Sequence, residues 1–400
     1  MKYWYPLAKA NYGAEETEAV MDCLEHKRTT MGEKVREFED QFSQMFVGGR
    51  ECVMVNSGSS ADLLSMMAAV NPESMNMLPP GSEVLCPAVT WPTQIWSAIT
   101  AGLHVTLVDC DPVTLNMDLD DLEEKAFRIK AYGKMISVVH LMGNPVDMGR
   151  VTSIAKNTVS WIHEDCCEIL GAQFDGQDTG TFGGTAAFSF FHSHHISTME
   201  GGMVAVRDSY MADLVRMLRA HGWTREVRHM PSNPRFEFLN MGFNVRPTEL
   251  QAAFGLEQLK RWPAFKAQRQ LNADLVREAL QPYAHWLQMP VAHPKATPSW
   301  FGLSFIVLPD APFTRDELTA YLERNGIETR PIESGNMARH PSVQLYPQIK
   351  CGHLPGAEIV HDCGFYIGLH PDTEGIDRLV EVIRFGMKDP ANLQRESVTA

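Results

Sequence analysis

The stretch FHSHHISTMEGG, residues 191–202, sets His192, His194 and His195 within four positions and ends on a glycine pair. Imidazole exchanges protons near neutral pH, ligates metals and also serves as an ordinary surface residue. The string offers no second cluster at ligand spacing, so zinc is disfavoured and no metal is expected. Further chemistry-bearing residues lie upstream. VNSGSSADLL, 55–64, follows an apolar run and opens a helical pattern. Gly58 is expected to permit the tight turn and Ser59 to stand at a helix start, where free N–H groups and the helix dipole suit a phosphate. Taken alone, this segment reads more readily as a plain helix cap. WIHEDCCE, 161–168, puts Asp165 at the end of an apolar run. A buried carboxylate there needs a cationic partner or the N–H groups of a local turn. Glu168, three residues on, either braces the same place or caps a helix. Ser189 stands five residues before His194.

The elements that must position these side chains are short apolar segments alternating with helical patterns. ECVMV leads into ADLLSMMAAV, SEVLCPAVTW into PTQIWSAITAG, HVTLVDCD into LDDLEEKAFR and KMISVVHLMGN into VDMGRVTSIAKN, before VSWIHEDCCE. That rhythm predicts an α/β fold with a mainly parallel sheet covered by helices. From about 248 the texture changes to a long helical stretch, expected to be interrupted at Trp262-Pro263. A strand in WFGLSFIVLP, a helix capped by Thr314 in TRDELTAYLERNG and a strand in IETRPI then predict a smaller α+β domain.

Composition narrows the function. The chain has 400 residues, 44% of them hydrophobic, and a net charge of −14. That charge opposes general binding to nucleic acid or to an anionic membrane, so an anionic ligand must meet a local site. The start, MKYWYPLAKANYGAEE, carries no apolar core of signal-peptide length, and a cytoplasmic location is expected. The eight cysteines form no CxxC pair and read as reduced, mostly buried thiols.

In this order, Gly58 and Ser59 at a helix start, Trp91 after a strand, Asp165, Ser189 and the 194 position resemble the DegT/DnrJ/EryC1/StrS family of sugar aminotransferases. TMGEKVREFEDQF at 30–42, GFNVRPTELQAAFG at 242–255 and GIETRPI at 326–332 extend the resemblance over nearly the whole chain. It implies a pyridoxal-phosphate enzyme of fold type I. Residues 1–250 would form the N-terminal arm and large cofactor-binding domain, and 251–400 the interdomain helix and small domain. Asp165 would face the pyridine nitrogen and Trp91 the ring, with Glu168 also in the cofactor set. Gly58, Ser59 and Ser189 would hold the phosphate, joined by Asn244 from the second subunit of a homodimer with shared active sites.

One position departs from the aminotransferases of that family. Where they carry the lysine that captures the cofactor, this chain has His194, and no lysine occurs between Lys156 and Lys260. Pyridoxal 5'-phosphate, and its pyridoxamine form, would then be held without a covalent bond. The histidine segment is most similar to the family branch that removes the C3 hydroxyl from nucleotide-linked 4-keto-6-deoxy sugars, with GDP as the nucleotide by similarity. The resemblance implies L-glutamate as amino donor, His194 as proton carrier, ammonia release and a 4-keto-3,6-dideoxy product. His221, Arg225 and Arg330 are the candidate substrate contacts, and Arg246 is expected instead at the subunit interface. Iron–sulfur relatives need a close cysteine set with a Cys-x-Cys pair, absent from this sequence, so no cluster is expected. A cofactor-binding relative without turnover and a sugar 4-aminotransferase stay open as alternatives.

Overall fold

The structure, a computed structural model, describes residues 3–75, 77–131, 133–229 and 236–393. Helices α1 (Ala14–Glu25) and α2 (Glu33–Phe46) lead into the alternating series β1 (Glu51–Val55), α3 (Gly58–Ala69), β2 (Glu83–Pro87), α4 (Thr93–Thr100) and β3 (His104–Val108). The series continues as α5 (Leu119–Arg128), β4 (Lys134–Val139), α6 (Met148–Thr158) and β5 (Ser160–Asp165). A short hairpin, β6 (Gln173–Phe174) and β7 (Gln177–Asp178), precedes β8 (Thr185–Ser189), β9 (Gly202–Val206) and α7 (Ser209–Arg219). After α8 (Glu249–Leu280) come β10 (Leu287–Gln288), β11 (Ala296–Thr297), β12 (Gly302–Val307), α9 (Arg315–Arg324), β13 (Thr329–Arg330), β14 (Ile349–Lys350), α10 (Pro355–Cys363), β15 (Gly364–Gly368) and α11 (Ile376–Lys388).

The large sheet has the order β1-β9-β8-β5-β4-β2-β3-β14, and only β9 runs against its neighbours. Every residue of β2 and β9 is buried, as expected of strands covered by helices on both faces. Because β1, β2, β5 and β8 point the same way, their carboxyl ends share one edge. Gly58, Trp91, Asp165 and Ser189 all follow or close those strands, which is how residues distant in sequence converge. The antiparallel turn from β8 back to β9 is the loop that carries the histidines.

A second, antiparallel sheet, β10-β12-β15-β13, packs beneath α9 and α11 around Leu303, Phe305, Leu318, Tyr321, Phe365, Ile367 and Leu379. Two crossings tie it to the rest. Tyr5 from the N-terminal arm lies in this core, and β14 returns to the large sheet beside β3. The boundary expected at residue 250 falls at the start of α8.

Contrary to expectation, α8 is not broken at Trp262-Pro263 but runs 32 residues with Pro263 inside. Proline forfeits one backbone hydrogen bond and crowds the preceding turn. Burial of Leu256, Leu259 and Trp262 along the same helix offsets that cost. Thr248 and Gln251 cap its start reciprocally, and Thr314 and Glu317 do the same for α9. No helix among the described residues is long and apolar enough to cross a membrane.

Candidate active site

Ser57 is the N-cap of α3, its hydroxyl accepting from the Ser60 N–H at 3.1 Å, and Ser59 stands in the first turn as expected. Gly58 is the first helical residue and does not adopt a positive φ, so its glycine is not required by a tight turn as expected. It is required by crowding: a Cβ there would lie 2.5 Å from Ser189 Cβ and 3.0 Å from Cys167 Sγ. Gly202 answers from the other side, where a Cβ would meet the Ser57 carbonyl oxygen at 2.3 Å. The first-turn N–H groups of α3 and the Ser189 hydroxyl therefore form one small cup. Ser59 faces outward and its hydroxyl meets Thr93 Oγ1 at 3.0 Å, linking the start of α3 to the start of α4 just past Trp91. Trp91 itself is 56% exposed.

Asp165 forms the floor beside this cup. No helix follows it, so neither it nor Glu168 is a helix cap. One carboxylate oxygen accepts the Cys167 N–H at 2.9 Å and the other accepts Gln94 Nε2 at 2.6 Å. The Gln94 carbonyl is in turn fixed by the Ser137 hydroxyl at 2.6 Å. Burial, with the charge of Asp62 adding to it, pushes Asp165 up to about 7. Asp62 is held by His163 Nε2 at 3.1 Å, whose other ring nitrogen meets Thr185 Oγ1.

Glu168 reaches past the floor to a strained loop. Its carboxylate accepts the N–H of Met142, a residue at φ 55°, at 2.8 Å. Burial and the neighbouring Glu333 carboxyl push Glu168 well above the usual carboxylate range. The Met142 carbonyl accepts Phe301 N–H, and the Gly143 carbonyl accepts Ser299 N–H, each at 3.0 Å. Ser299 returns its carbonyl to His195 Nε2 at 3.0 Å, while His195 Nδ1 is buried and has no hydrogen-bond partner among the described residues. This chain of bonds connects the Asp165 side to His194, whose ring meets Phe301 edge to face.

His194 lines a cavity with Lys9, His192, Arg269, Phe301, Arg330, Tyr366 and His370. Its Nδ1 is buried and has no hydrogen-bond partner among the described residues. Burial pushes the imidazole down to about 3, with Arg269 and then His192 adding to the effect, so it is neutral at physiological pH. Lys9, the lysine that lines this cavity, is tied to Glu374 at 3.0 Å and Asp372 at 3.4 Å.

The remaining expected contacts divide. Arg330 shares the His194 cavity, 4.0 Å from Glu328. Asn244 and Arg225 line a different cavity, with Trp223, Arg246 and Thr248. There Asn244 Oδ1 accepts Arg246 Nε at 3.0 Å, and Arg225 lies 5.2 Å over the Trp223 ring. His221, exposed and at φ 63°, lines neither. Within one chain, then, Asn244 does not join the cup.

Several site residues escaped sequence reasoning. Gln94 lies in a helix start with no charge to mark it. Asp62 sits inside an apolar helix, and Arg269 and Phe301 come from the distant C-terminal part. Cys167, read as an inert thiol, wedges between Asp165 and Gly58. Only the buried charge of Asp62 inside LLSMMAAV-like surroundings was a readable signal.

Comparison with known proteins gives this geometry its context. The profile of the DegT/DnrJ/EryC1/StrS aminotransferase family matches residues 10–384. The chain is 37% identical over 393 residues to GDP-4-keto-6-deoxy-D-mannose 3-dehydratase of Yersinia pseudotuberculosis, covering 95% of this chain and 98% of that one. Its identity to the enzyme of the same name from Escherichia coli O55:H7 is 36%, covering 95% and 99%. The solved structure of the E. coli GDP-4-keto-6-deoxy-D-mannose 3-dehydratase with bound hydrated PLP superposes with a TM-score of 0.89 at 35% identity, over 95% of this chain and 99% of that one. Another structure of an enzyme of that name, with a trapped PLP-glutamate geminal diamine, gives a TM-score of 0.88, covering 95% and 100%. A parallel-sheet edge that gathers Gly58, Asp165 and Ser189, matched over nearly its full length, makes this chain a member of the DegT/DnrJ/EryC1/StrS aminotransferase family.

Proposed function

We propose that the protein is a pyridoxal-phosphate-dependent 3-dehydratase of a nucleotide-linked 4-keto-6-deoxy sugar, with GDP-4-keto-6-deoxy-D-mannose as substrate and L-glutamate as amino donor. One observation carries the reading: His194, with a buried and unpartnered Nδ1, stands where the family's aminotransferases carry lysine. The residues present fit the cofactor. The cup at Gly58 and Ser189 is closed to any Cβ and offers N–H groups of a helix start to a phosphate. Asp165, pushed up by burial, is a carboxyl that a pyridinium N–H would hold ionised.

Bound there, the cofactor carries the amine and supplies the electron sink. The chain's residues do the rest. Asp165, fixed by Gln94 and Cys167, holds a proton on the ring nitrogen. Ser189 and the first turn of α3 bind phosphate. His194, neutral in this setting, takes a proton on its imidazole and returns one to the departing C3 hydroxyl. Phe301 keeps its ring in place. The overall balance is that glutamate and the 3-hydroxy sugar give 2-oxoglutarate, ammonia and the 3-deoxy sugar, so glutamate is the two-electron reductant.

The active unit is a homodimer, in which Asn244 and Arg225 of one subunit complete the site of the other, and the reaction runs in the cytoplasm. The large sheet serves as the cofactor domain and the antiparallel sheet as the small domain. Trp91 covers the cofactor ring, while Arg330 and His221 meet the substrate. The deciding experiment is the reaction of GDP-4-keto-6-deoxy-D-mannose with glutamate in D₂O. Deuterium at C3 of a dideoxy product, with ammonia equal to 2-oxoglutarate, is expected. An amino sugar retaining its C3 oxygen would make the protein an aminotransferase instead.

A further inference from the structure

The cavity beside His194 measures about 270 Å³. Its charged walls are Lys9, Arg269 and Arg330 against a single carboxylate, Glu328. In a chain of net charge −14 this local excess of cations is unusual. Two of the three are accounted for, Lys9 by Glu374 and Asp372 and Arg330 by Glu328. Arg269 is different. It is 5% exposed, and among the described residues no carboxylate lies within ion-pair distance of it. Its Nη2 donates to the Phe301 carbonyl at 2.6 Å and its Nε to the Trp300 carbonyl at 3.3 Å, which leaves Nη1 outside both bonds.

A buried guanidinium satisfied only by carbonyl dipoles carries an uncompensated charge, and such charges are retained where something pairs with them. Burial pushes Arg269 down to about 10, which leaves it protonated at neutral pH. The same cavity holds an unmet acceptor. His370, 3% exposed, donates through Nε2 to the Pro6 carbonyl at 2.7 Å, so its Nδ1 is a bare lone pair, and that atom has no partner among the described residues.

A ligand that satisfies both groups must bring an oxyanion for Arg269 and an N–H or O–H donor for His370. An amino acid carries both within a few atoms of each other, whereas a diphosphate group by itself carries acceptors only. The volume agrees, since roughly 300–1,000 Å³ is typical for larger, drug-sized ligands. We propose that this cavity is the seat of the amino donor, with Arg269 as counter-ion to a donor carboxylate and His370 Nδ1 as acceptor for its amine. The assignment rests on the proposed function, in which a dicarboxylic amino acid reacts next to His194.

The test is calorimetric titration of the holoenzyme with α-methyl-L-glutamate, which has no α-hydrogen to lose, and separately with GDP. Arg269→Met is expected to weaken the amino acid about tenfold or more, as loss of a charge-assisted bond does, and to leave GDP unchanged. Arg269→Lys should recover part of the loss, and Arg269→Gln, which keeps a donor for the Phe301 carbonyl, serves if the methionine variant does not fold. Weakened GDP with unchanged amino acid would assign the cavity to the diphosphate and overturn the inference. Unchanged binding of both would reduce Arg269 to a clamp on residues 300 and 301 and overturn it equally. The two readings fail separately: Arg269-dependent amino acid binding in a protein that forms no dideoxy sugar would spare this inference and remove the proposed function, and the reverse result would do the opposite.

Discussion

The ring of Phe301 meets that of His194 at 73° with centroids 5.1 Å apart, while the Phe301 carbonyl is gripped by Arg269 at 2.6 Å. A residue from the C-terminal part thus orients the imidazole that sits in the β8–β9 loop. An edge-to-face pair contributes about 0.5–1.5 kcal/mol beyond burial. Phe301→Leu keeps an apolar contact but loses the oriented ring, so dehydration should fall roughly threefold to tenfold. Cofactor retention should hold, because Phe301 does not border the cup. Paired measurement of kcat and of cofactor retained after gel filtration separates the two. Loss of cofactor in step with activity would make Phe301 a fold residue only.

The second prediction concerns pH. Asp165 is raised in the folded state from an ordinary 3.8 to about 7. A group raised on folding contributes stability below its unfolded value and loses it as pH climbs through the folded value. Cofactor-free protein should therefore be less stable at pH 8 than at pH 4 by about 3–4 kcal/mol from this group. Asp165→Asn should flatten that slope while weakening the cofactor. In the holoenzyme a cationic ring nitrogen favours the ionised carboxylate, so added cofactor should stabilise more at pH 8 than at pH 5. Urea unfolding at the two pH values reads both effects, and an unchanged slope in Asp165→Asn would assign the titration to another group.

Much of this site was legible before any coordinates. Strands ending in Asp165 and Ser189 were visible as apolar runs, and a parallel sheet gathers such ends by its own geometry. Gly58 was legible as a special glycine for the wrong reason. Sequence suggests a turn, whereas the constraint is Ser189, 131 positions away in a packed strand, and no local pattern encodes that. Arg269 was illegible for a similar reason. In AFKAQRQLNADL it looks like one more basic residue on a solvated helix, and only packing of 299–301 against it removes it from water.

Gly58→Ala follows from that packing. A Cβ at 2.5 Å from Ser189 Cβ and 2.9 Å from Ser189 Oγ cannot be accommodated without moving the strand or the helix. Overpacking of this kind costs about 1–3 kcal/mol, and the N–H groups of the cup would be displaced with it. The variant should melt lower and release cofactor on dialysis. Adding Ser189→Gly removes the collision and should return most of the melting temperature without returning cofactor affinity. A double variant no more stable than Gly58→Ala would place the strain elsewhere.

The last prediction is that active sites are shared between subunits. Within one chain Asn244 and Arg225 line a cavity apart from His194, Asn244 Oδ1 accepts Arg246 Nε, and the backbone on either side of Asn244 pairs with the Ala220 segment, His221 N–H donating to the Phe243 carbonyl and Val245 N–H to the Arg219 carbonyl. Beside them Phe236 and Met241 are 80% and 57% exposed, an apolar surface next to polar groups of the kind an interface covers. If Asn244 reaches the phosphate cup of a second copy, Asn244→Ala should lose cofactor although it lies far from the cup in its own chain. Two inactive parents, Asn244→Ala and His194→Ala, then make an informative mixture. In a hybrid dimer one site has both defects and the other has both residues intact, so a statistical mixture, half of it hybrid, should regain about a quarter of the wild-type activity. Separate affinity tags isolate the hybrid and raise that to about half. Purified hybrids that stay inactive would confine Asn244 to its bond with Arg246 and leave each site to a single chain.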